Sequence, residues 1–215
     1  MASVEAGPNG IEPGTKLSVD DVNDLIDSAL DAMPTVHLER ETKRAENGIA
    51  VTETSIGDFQ REPEAFRGKV TLKEPGDQSV VELVAVGEAT YVKTDGPKWV
   101  KNDRALSRTY LSKMPWPFTE VDLAMRSPGL GGTTVYVGQE EIDGAELARY
   151  SFGFEEPIAG DMNKGRVNGW FDAEGRLIRL HVTVIEGSEI AMDFSKHGEK
   201  LTITAPRTKD IESPA

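Results

Sequence analysis

Between Ser18 and Met33 the apolar residues Val22, Leu25, Ile26, Ala29, Leu30 and Met33 recur at three- and four-residue spacing, which predicts one amphipathic helix. Ser18 is placed to cap it, Asp20 and Asp21 stand in the first turn where carboxylates favour the helix dipole, and Pro34 ends the pattern. From Thr35 the period falls to two. Asn47-Gly48 predicts a hairpin between "TVHLERETKRAE" and "IAVTETSIGDFQR", because a type I′ turn needs positive φ at both central positions. "AFRGKVTLKEP" alternates Phe66, Gly68, Val70 and Leu72 against Arg67, Lys69, Thr71 and Lys73. Pro75-Gly76 then predicts the turn into "SVVELVAVGEATYVKTD", read as the fourth consecutive antiparallel strand.

The stretch "VGEATYVKTDGPKWVKND" predicts a further hairpin. With Thr94 to Pro97 as its turn, Val92 stands opposite Trp99 on one face and Tyr91 opposite Val100 on the other, so the two aromatics point apart. "DRALSRTYLSKMPWPFTEVDLAMRSPG" interrupts the alternation and predicts two short helical or irregular pieces separated by Pro115-Trp116-Pro117. Strand character then returns. Asp143-Gly144 marks one turn, and its second arm alternates Ala148, Tyr150, Phe152 and Phe154 against Arg149, Ser151 and Gly153. After a turn at Ala173 to Gly175, Ile178, Leu180, Val182 and Val184 share a face opposite Leu177, Arg179, His181 and Thr183. A last turn near His197-Gly198 separates Ile190, Met192 and Phe194 from Leu201 and Ile203.

These elements sum to an α+β fold. A large curved antiparallel sheet, a half-barrel of about ten strands, carries an N-terminal helix and a mid-chain helical insertion over its concave face, since a sheet of that size curls and an amphipathic helix needs an apolar face to cover. Residues 1–16, rich in Gly and Pro, read as a flexible leader or tether, 17–206 as a single half-barrel domain, and 207–215 as a polar tail.

Composition narrows the function more than it names it. A formal charge of −13 without a basic stripe argues against a nucleic-acid partner, and the absence of cysteine removes disulfides, thiolate metal sites and cysteine nucleophiles. No apolar run approaches a bilayer span. His37, His181 and His197 fall in separate hairpins without metal-ligand spacing, the latter two reading as solvent-facing, so no metal and no cofactor is expected. The Gly129 to Gly132 run lacks the Lys-Ser/Thr and the strand-to-helix context of a phosphate cradle. Asp20-Asp21, Glu140-Glu141 and Glu155-Glu156 read as solvated surface.

What remains is apolar surface that a concave sheet can leave facing a cavity. Leu25, Ala29, Val92, Trp99, Leu111, Trp116, Phe118, Leu123, Met125, Leu180, Val182 and Met192 are the candidate lining, and core packing is the competing reading for each. Burying acyl carbon is worth about 0.8 kcal/mol per methylene, so a sixteen-carbon chain offers about 12 kcal/mol before ordering costs. Binding of this kind needs no catalytic group, and no enzymatic activity is expected.

Several segments resemble the actinobacterial cell-envelope lipoproteins of the LppX/LprAFG family: "LIDSALDAMPTVHLE", "VGEATYVKTDGPKWVKND", "FTEVDLAMRSP", "VGQEEIDGAELARY", "GWFDAEGRLIRLHVTV" and "MDFSKHGEKLTITAP", in that order across residues 17–206. The resemblance implies a LolA/LolB-type half-barrel, a hydrophobic cavity between sheet and helices for a lipid or glycolipid, export, and anchoring on the extracytoplasmic side through an acylated N-terminal cysteine. This sequence departs from the family in having no lipobox cysteine, either because signal and cysteine were removed or because this member is not lipidated. It departs again in its first strand, where Glu39, Arg40, Glu41, Lys43 and Arg44 put a wide lipid-accepting mouth in doubt. The leading expectation is a non-enzymatic envelope protein that binds or carries a lipid or glycolipid. The alternative is an envelope sensor or scaffold on the same fold, with a closed core, acting through protein–protein contacts. An enzyme ranks third and would need a pocket with converging polar groups.

Overall fold

The computed structural model describes residues 10–46, 48–94, 96–103, 117–126, 133–158, 161–184 and 187–212. Helix α1 spans Val19–Asp31 and α2 spans Pro117–Arg126. The strands are β1 Thr35–Glu46, β2 Ile49–Gln60, β3 Ala65–Glu74, β4 Asp77–Val86, β5 Ala89–Lys93, β6 Val100–Asp103, β7 Thr134–Ile142, β8 Ala145–Ile158, β9 Asp161–Phe171, β10 Leu177–Val184 and β11 Ser188–Ser195. They are hydrogen-bonded in the order β6-β5-β4-β3-β2-β1-β11-β10-β9-β8-β7. The fold class read from the sequence is thus observed: an antiparallel sheet, of eleven strands rather than about ten, with an N-terminal helix and a mid-chain helix. The chain divides into two compact units, Met1–Ala32 with Glu120–Asp193 and Met33–Thr119 with Phe194–Ala215.

In the first unit, α1 forms where the apolar period predicts it. Ser18 Oγ accepts from the Asp21 amide at 3.1 Å while the Asp21 carboxylate accepts from the Ser18 amide at 3.1 Å, a reciprocal cap that meets two of the helix's orphan donors. Val22, Ile26 and Ala29 form its buried stripe. Arg126, in the last turn of α2, bonds the Asp122 carboxylate at 2.5 Å, Asn23 Oδ1 at 3.2 Å, and Asp27. One side chain therefore ties the end of α2 to the exposed face of α1. The hairpin from β7 to β8 turns at Asp143-Gly144, both at positive φ, as the sequence predicts.

Two bulges reset the alternation in this unit. Between Tyr136 and Gly138 the register of β7 shifts, leaving Val137 exposed. Between Leu177 and Arg179 a second shift leaves Ile178 as the extra residue. The sequence-based face of Ile178, Leu180 and Val182 is therefore corrected to Leu177, Leu180 and Val182, all buried, with Leu180 directly opposite Met192 on β11. His181 is half-buried rather than solvent-facing.

In the second unit the expected turns at 47–48 and Pro75-Gly76 join β1 to β2 and β3 to β4, with Asn47 itself outside the described residues. The run expected as a fourth continuous strand breaks at Gly87-Glu88 into β4 and β5; Gly87, at φ 58°, supplies the left-handed turn residue. Val36, Leu38, Phe59, Phe66, Leu83 and Val92 are buried on one face, with the Phe59 and Phe66 rings stacked at 5.8 Å. Leu201 and Ile203 are half-buried but belong to no strand, so the arm expected after His197-Gly198 does not form; His197 is also half-buried rather than solvent-facing. The Gly198 amide instead donates to the Thr35 carbonyl, and Thr35 Oγ1 donates to the Glu199 carbonyl.

The N-terminal segment pairs with β7 and the C-terminal segment with Trp99, just before β6, at the two ends of the sheet order. Gly14 and Leu17 donate to the carbonyls of Tyr136 and Thr134, and Lys16 bridges Val135, so part of the expected leader lies along β7. Trp99 donates to the Asp210 carbonyl at 2.8 Å and accepts from the Glu212 amide at 2.8 Å. Each contact satisfies backbone groups that an edge would otherwise leave to water or to another chain.

Candidate functional site

The larger of two clefts beside α1 has a volume of about 430 Å³. Ile11, Leu17 and Leu25 contribute aliphatic surface and Tyr150 and Phe171 an aromatic floor, while Asp21, Asp24, Asp172 and Glu174 stand among its polar residues. The floor follows from register. Tyr136 on β7 faces Tyr150 on β8 with ring centroids 5.2 Å apart, and Tyr150 meets Phe171 of β9 edge to face at 5.4 Å. Gly169, opposite Tyr150, leaves room for the Phe171 ring, whose Cε2 would lie 3.0 Å from an added Cβ. Leu25 enters from α1, one position before Ile26, which is wholly buried.

Two of these carboxylates, Asp21 and Asp172, have defined tasks. Asp21 caps α1, and the Ser18 hydroxyl and amide hold its carboxyl below the usual range. Asp172 accepts from the Glu174 and Arg176 amides and from Arg176 Nε at 2.7 Å, fixing the β9–β10 turn. Burial, with Tyr136 close by, pushes the Tyr150 phenol above its ordinary value. The result is a cleft of mixed character, with an aromatic floor and a carboxylate-bearing, hydrogen-bonded surround. A second cleft of about 250 Å³ lies where Lys16, Val19 and Val22 meet Met125 and Arg126.

The expected lining residues divide. Leu25 lines the larger cleft and Met125 the smaller. Ala29, Val92, Phe118, Leu180, Val182 and Met192 are buried and line neither. Trp99 is corrected in register: Val92 pairs with Val100 and Tyr91 with Lys101, so Trp99 lies just outside β6. There it is half-buried, with Lys93 Nζ 5.5 Å from its ring centroid and its backbone bonded to the C-terminal segment. Leu111, Trp116 and the Leu123 side chain lie outside the described residues. Sequence reasoning missed Ile11, Leu17, Tyr150 and Phe171. The alternation of β8 did mark Tyr150, but Phe171 reaches the cleft only through pairing with β8 and β10.

Other polar groups are tied elsewhere. Glu140, expected as solvated surface, accepts from Trp170 Nε1 at 3.0 Å and Arg149 Nη1 at 3.2 Å, and the Arg149 guanidinium lies 5.2 Å from the Trp170 ring centroid. His37 Nδ1 and Asp58 Oδ1 are 2.7 Å apart on the other unit. Among the described residues no group of three or more metal-ligating side chains converges, and no helix is long and apolar enough to cross a membrane.

No protein-family model and no curated protein matches this sequence. Among solved structures the chain is similar to LprF from Mycobacterium bovis, at 15% identity and a TM-score of 0.58 over 89% of this chain and 99% of that one. It is likewise similar to the Mycobacterium tuberculosis lipoprotein LppX, at 19% identity and a TM-score of 0.54 over 87% of this chain and 100% of that one. Identity this low establishes a shared fold. The likeness falls on the same lipoproteins that the sequence segments resemble.

Proposed function

We propose that this chain is a non-enzymatic cell-envelope protein of the LppX/LprAFG type that binds or carries a lipid or glycolipid, with the cleft along α1, part apolar and part polar, as its binding surface. The observation that carries the reading is that cleft: about 430 Å³ over Leu17, Leu25, Tyr150 and Phe171, within the size range of small-molecule sites. The fold shared with LprF and LppX supports it, and so does the resemblance of the sequence segments. Each methylene moved from water onto such a floor contributes about 0.8 kcal/mol, so an acyl segment of eight carbons offers about 6 kcal/mol before ordering costs. On this reading the protein works on the extracytoplasmic side of the membrane, where family members are held by an acylated N-terminal cysteine.

Of the expected lining, Leu25 belongs to the proposed binding surface. Native mass spectrometry of protein purified from an envelope-containing host, before and after organic extraction, tests the proposal. A stoichiometric lipid mass that extraction removes is the expected result. A protein that carries no lipid and gains none from mixed vesicles refutes it and leaves the sensor or scaffold reading.

A further inference from the structure

Asp21, Asp24, Leu25 and Ser28 stand at three- and four-residue spacing, so α1 turns one face to the larger cleft, while Asp172 and Glu174 line it from the β9–β10 turn. Among the described residues this lining includes four carboxylates and no Lys, Arg or His, and α1 itself contains no basic residue. Three of the four are accounted for. Asp21 caps α1, and Arg176 bonds Asp172 Oδ2 at 2.7 Å and Glu174 Oε2 at 3.2 Å. The Asp24 carboxylate is exposed and has no hydrogen-bonded or ionic partner among the described residues. It follows the Ser18 cap by six positions, beyond the turn over which the helix dipole favours a carboxylate, and Asp21 by three, where a like charge is unfavourable.

The floor of the same cleft holds a second unmet acceptor. Tyr150 is 4% exposed, with its ring against those of Tyr136 and Phe171. Its hydroxyl has no partner among the described residues. Unlike the Tyr136 hydroxyl, which is sealed from solvent, it keeps solvent contact, and the cleft is the opening that Tyr150 lines. A phenol buried this deeply normally finds a partner, because leaving it unpaired costs stability. The cleft therefore offers an unpaired carboxylate and an unpaired phenol oxygen to one occupant.

We propose that this polar side of the cleft holds an ammonium group, so that the ligand is a lipid with an amine-bearing headgroup and its acyl chain lies on Leu17, Leu25 and Phe171. An ammonium presents three donors and no acceptor, and Asp24, Glu174 and the Tyr150 hydroxyl oxygen supply acceptors for it. Its charge also offsets the carboxylates gathered at one cleft, in a chain of formal charge −13. A neutral polyol headgroup donates as well but leaves that charge unmet. An inorganic cation lacks its donor set, since among the described residues no three metal-ligating side chains converge. The inference rests on the lipid-carrier reading above and adds the headgroup class.

The test titrates wild type, Asp24→Asn and Tyr150→Phe by calorimetry with three probes below micelle-forming concentrations. These are dodecylamine, protonated at neutral pH, dodecyl glucoside, with the same chain and a neutral polyol headgroup, and butylamine, with the amine and almost no chain. Wild type is expected to bind dodecylamine at least about tenfold more tightly than the glucoside, the scale of one charge-assisted hydrogen bond, and added salt narrows that ratio. Each variant brings the ratio toward one. Asp24 is exposed, so its variant is expected to melt no lower than wild type; should Tyr150→Phe not fold, Glu174→Gln reads the same ratio from the β9–β10 turn. Equal binding of the two amphiphiles, a preference for the glucoside, or an amine preference unchanged in the variants overturns the ammonium site while the carrier reading stands. Butylamine bound as tightly as dodecylamine overturns the lipid source. Failure of wild type to bind either amphiphile refutes the carrier reading and the ammonium site with it.

Discussion

Leu25 and Ile26 are neighbours on α1 with different tasks, so truncating each in turn separates cleft from core. Ile26 is 0% exposed, and Ile26→Ala leaves a cavity in the packed stripe, at a cost of about 2–5 kcal/mol. Leu25 is half-buried on the cleft wall. Leu25→Ala removes three carbons worth about 2.4 kcal/mol when fully buried. Most of that burial exists without ligand, so the expected stability loss is about 1.5–2 kcal/mol. The remainder is realised only when a lipid covers the site and weakens binding by about threefold. Alanine keeps helix propensity at both positions, so neither change acts through the backbone. Urea unfolding followed by circular dichroism reads the first quantity, and titration with a fluorescent fatty acid reads the second. The reasoning fails if Leu25→Ala destabilises as much as Ile26→Ala and leaves lipid affinity untouched, since the cleft wall would then be ordinary core.

Three further outcomes follow from particular contacts. Tyr136 is wholly buried, its hydroxyl has no partner among the described residues, and burial with Glu146 nearby holds its phenol above the usual range. A raised folded value means its contribution is intact below the unfolded pKa of about 10 and is lost as pH rises through the folded value. Tyr136→Phe should therefore leave stability near pH 7 unchanged or raised by up to about 1 kcal/mol and flatten the decline above about pH 10, read from urea midpoints across pH; a clear loss at neutral pH would mean the hydroxyl is bonded. Gly57→Ala sets a Cβ 2.9 Å from the Arg67 carbonyl oxygen and 3.1 Å from the Gly68 Cα, so a loss of about 1–3 kcal/mol is expected in thermal melts, whereas Gly96→Ala, with nothing within 4 Å, changes little. Ser18→Ala removes the α1 cap at a cost of about 1 kcal/mol, and the Asp21 carboxyl should titrate at a higher pH by NMR; an unmoved Asp21 would contradict the cap. Asp21's depressed value favours the fold above its unfolded pKa, and that contribution is lost as pH falls through the folded value.

The sequence by itself determined the elements whose cause is local. Ser18, the stripe through Met33 and Pro34 specify α1 within seventeen residues of chain, and the turns at 47–48, Pro75-Gly76, Asp143-Gly144 and Ala173 to Gly175 state their geometry in two or three residues each. The same local patterns underlie the antiparallel sheet and the resemblance to the LppX/LprAFG lipoproteins. Tertiary structure decided what depends on partners distant in the chain. A single bulge at Ile178 moved Leu177 into the core, because the alternation of a strand carries no mark of where its neighbour shifts register. Trp99 left its expected place opposite Val92, its backbone bonded instead to Asp210 and Glu212, more than a hundred residues away. The cleft likewise joins residues from Ile11 to Gly175, and only strand pairing brings Tyr150 and Phe171 together beneath Leu25. The alternation of β1 already separates Arg40, Thr42 and Arg44 from Glu39, Glu41 and Lys43. That the first set is the more deeply buried depends on β2 and β3 beside it, since burial belongs to the assembled sheet and charge pattern to the chain.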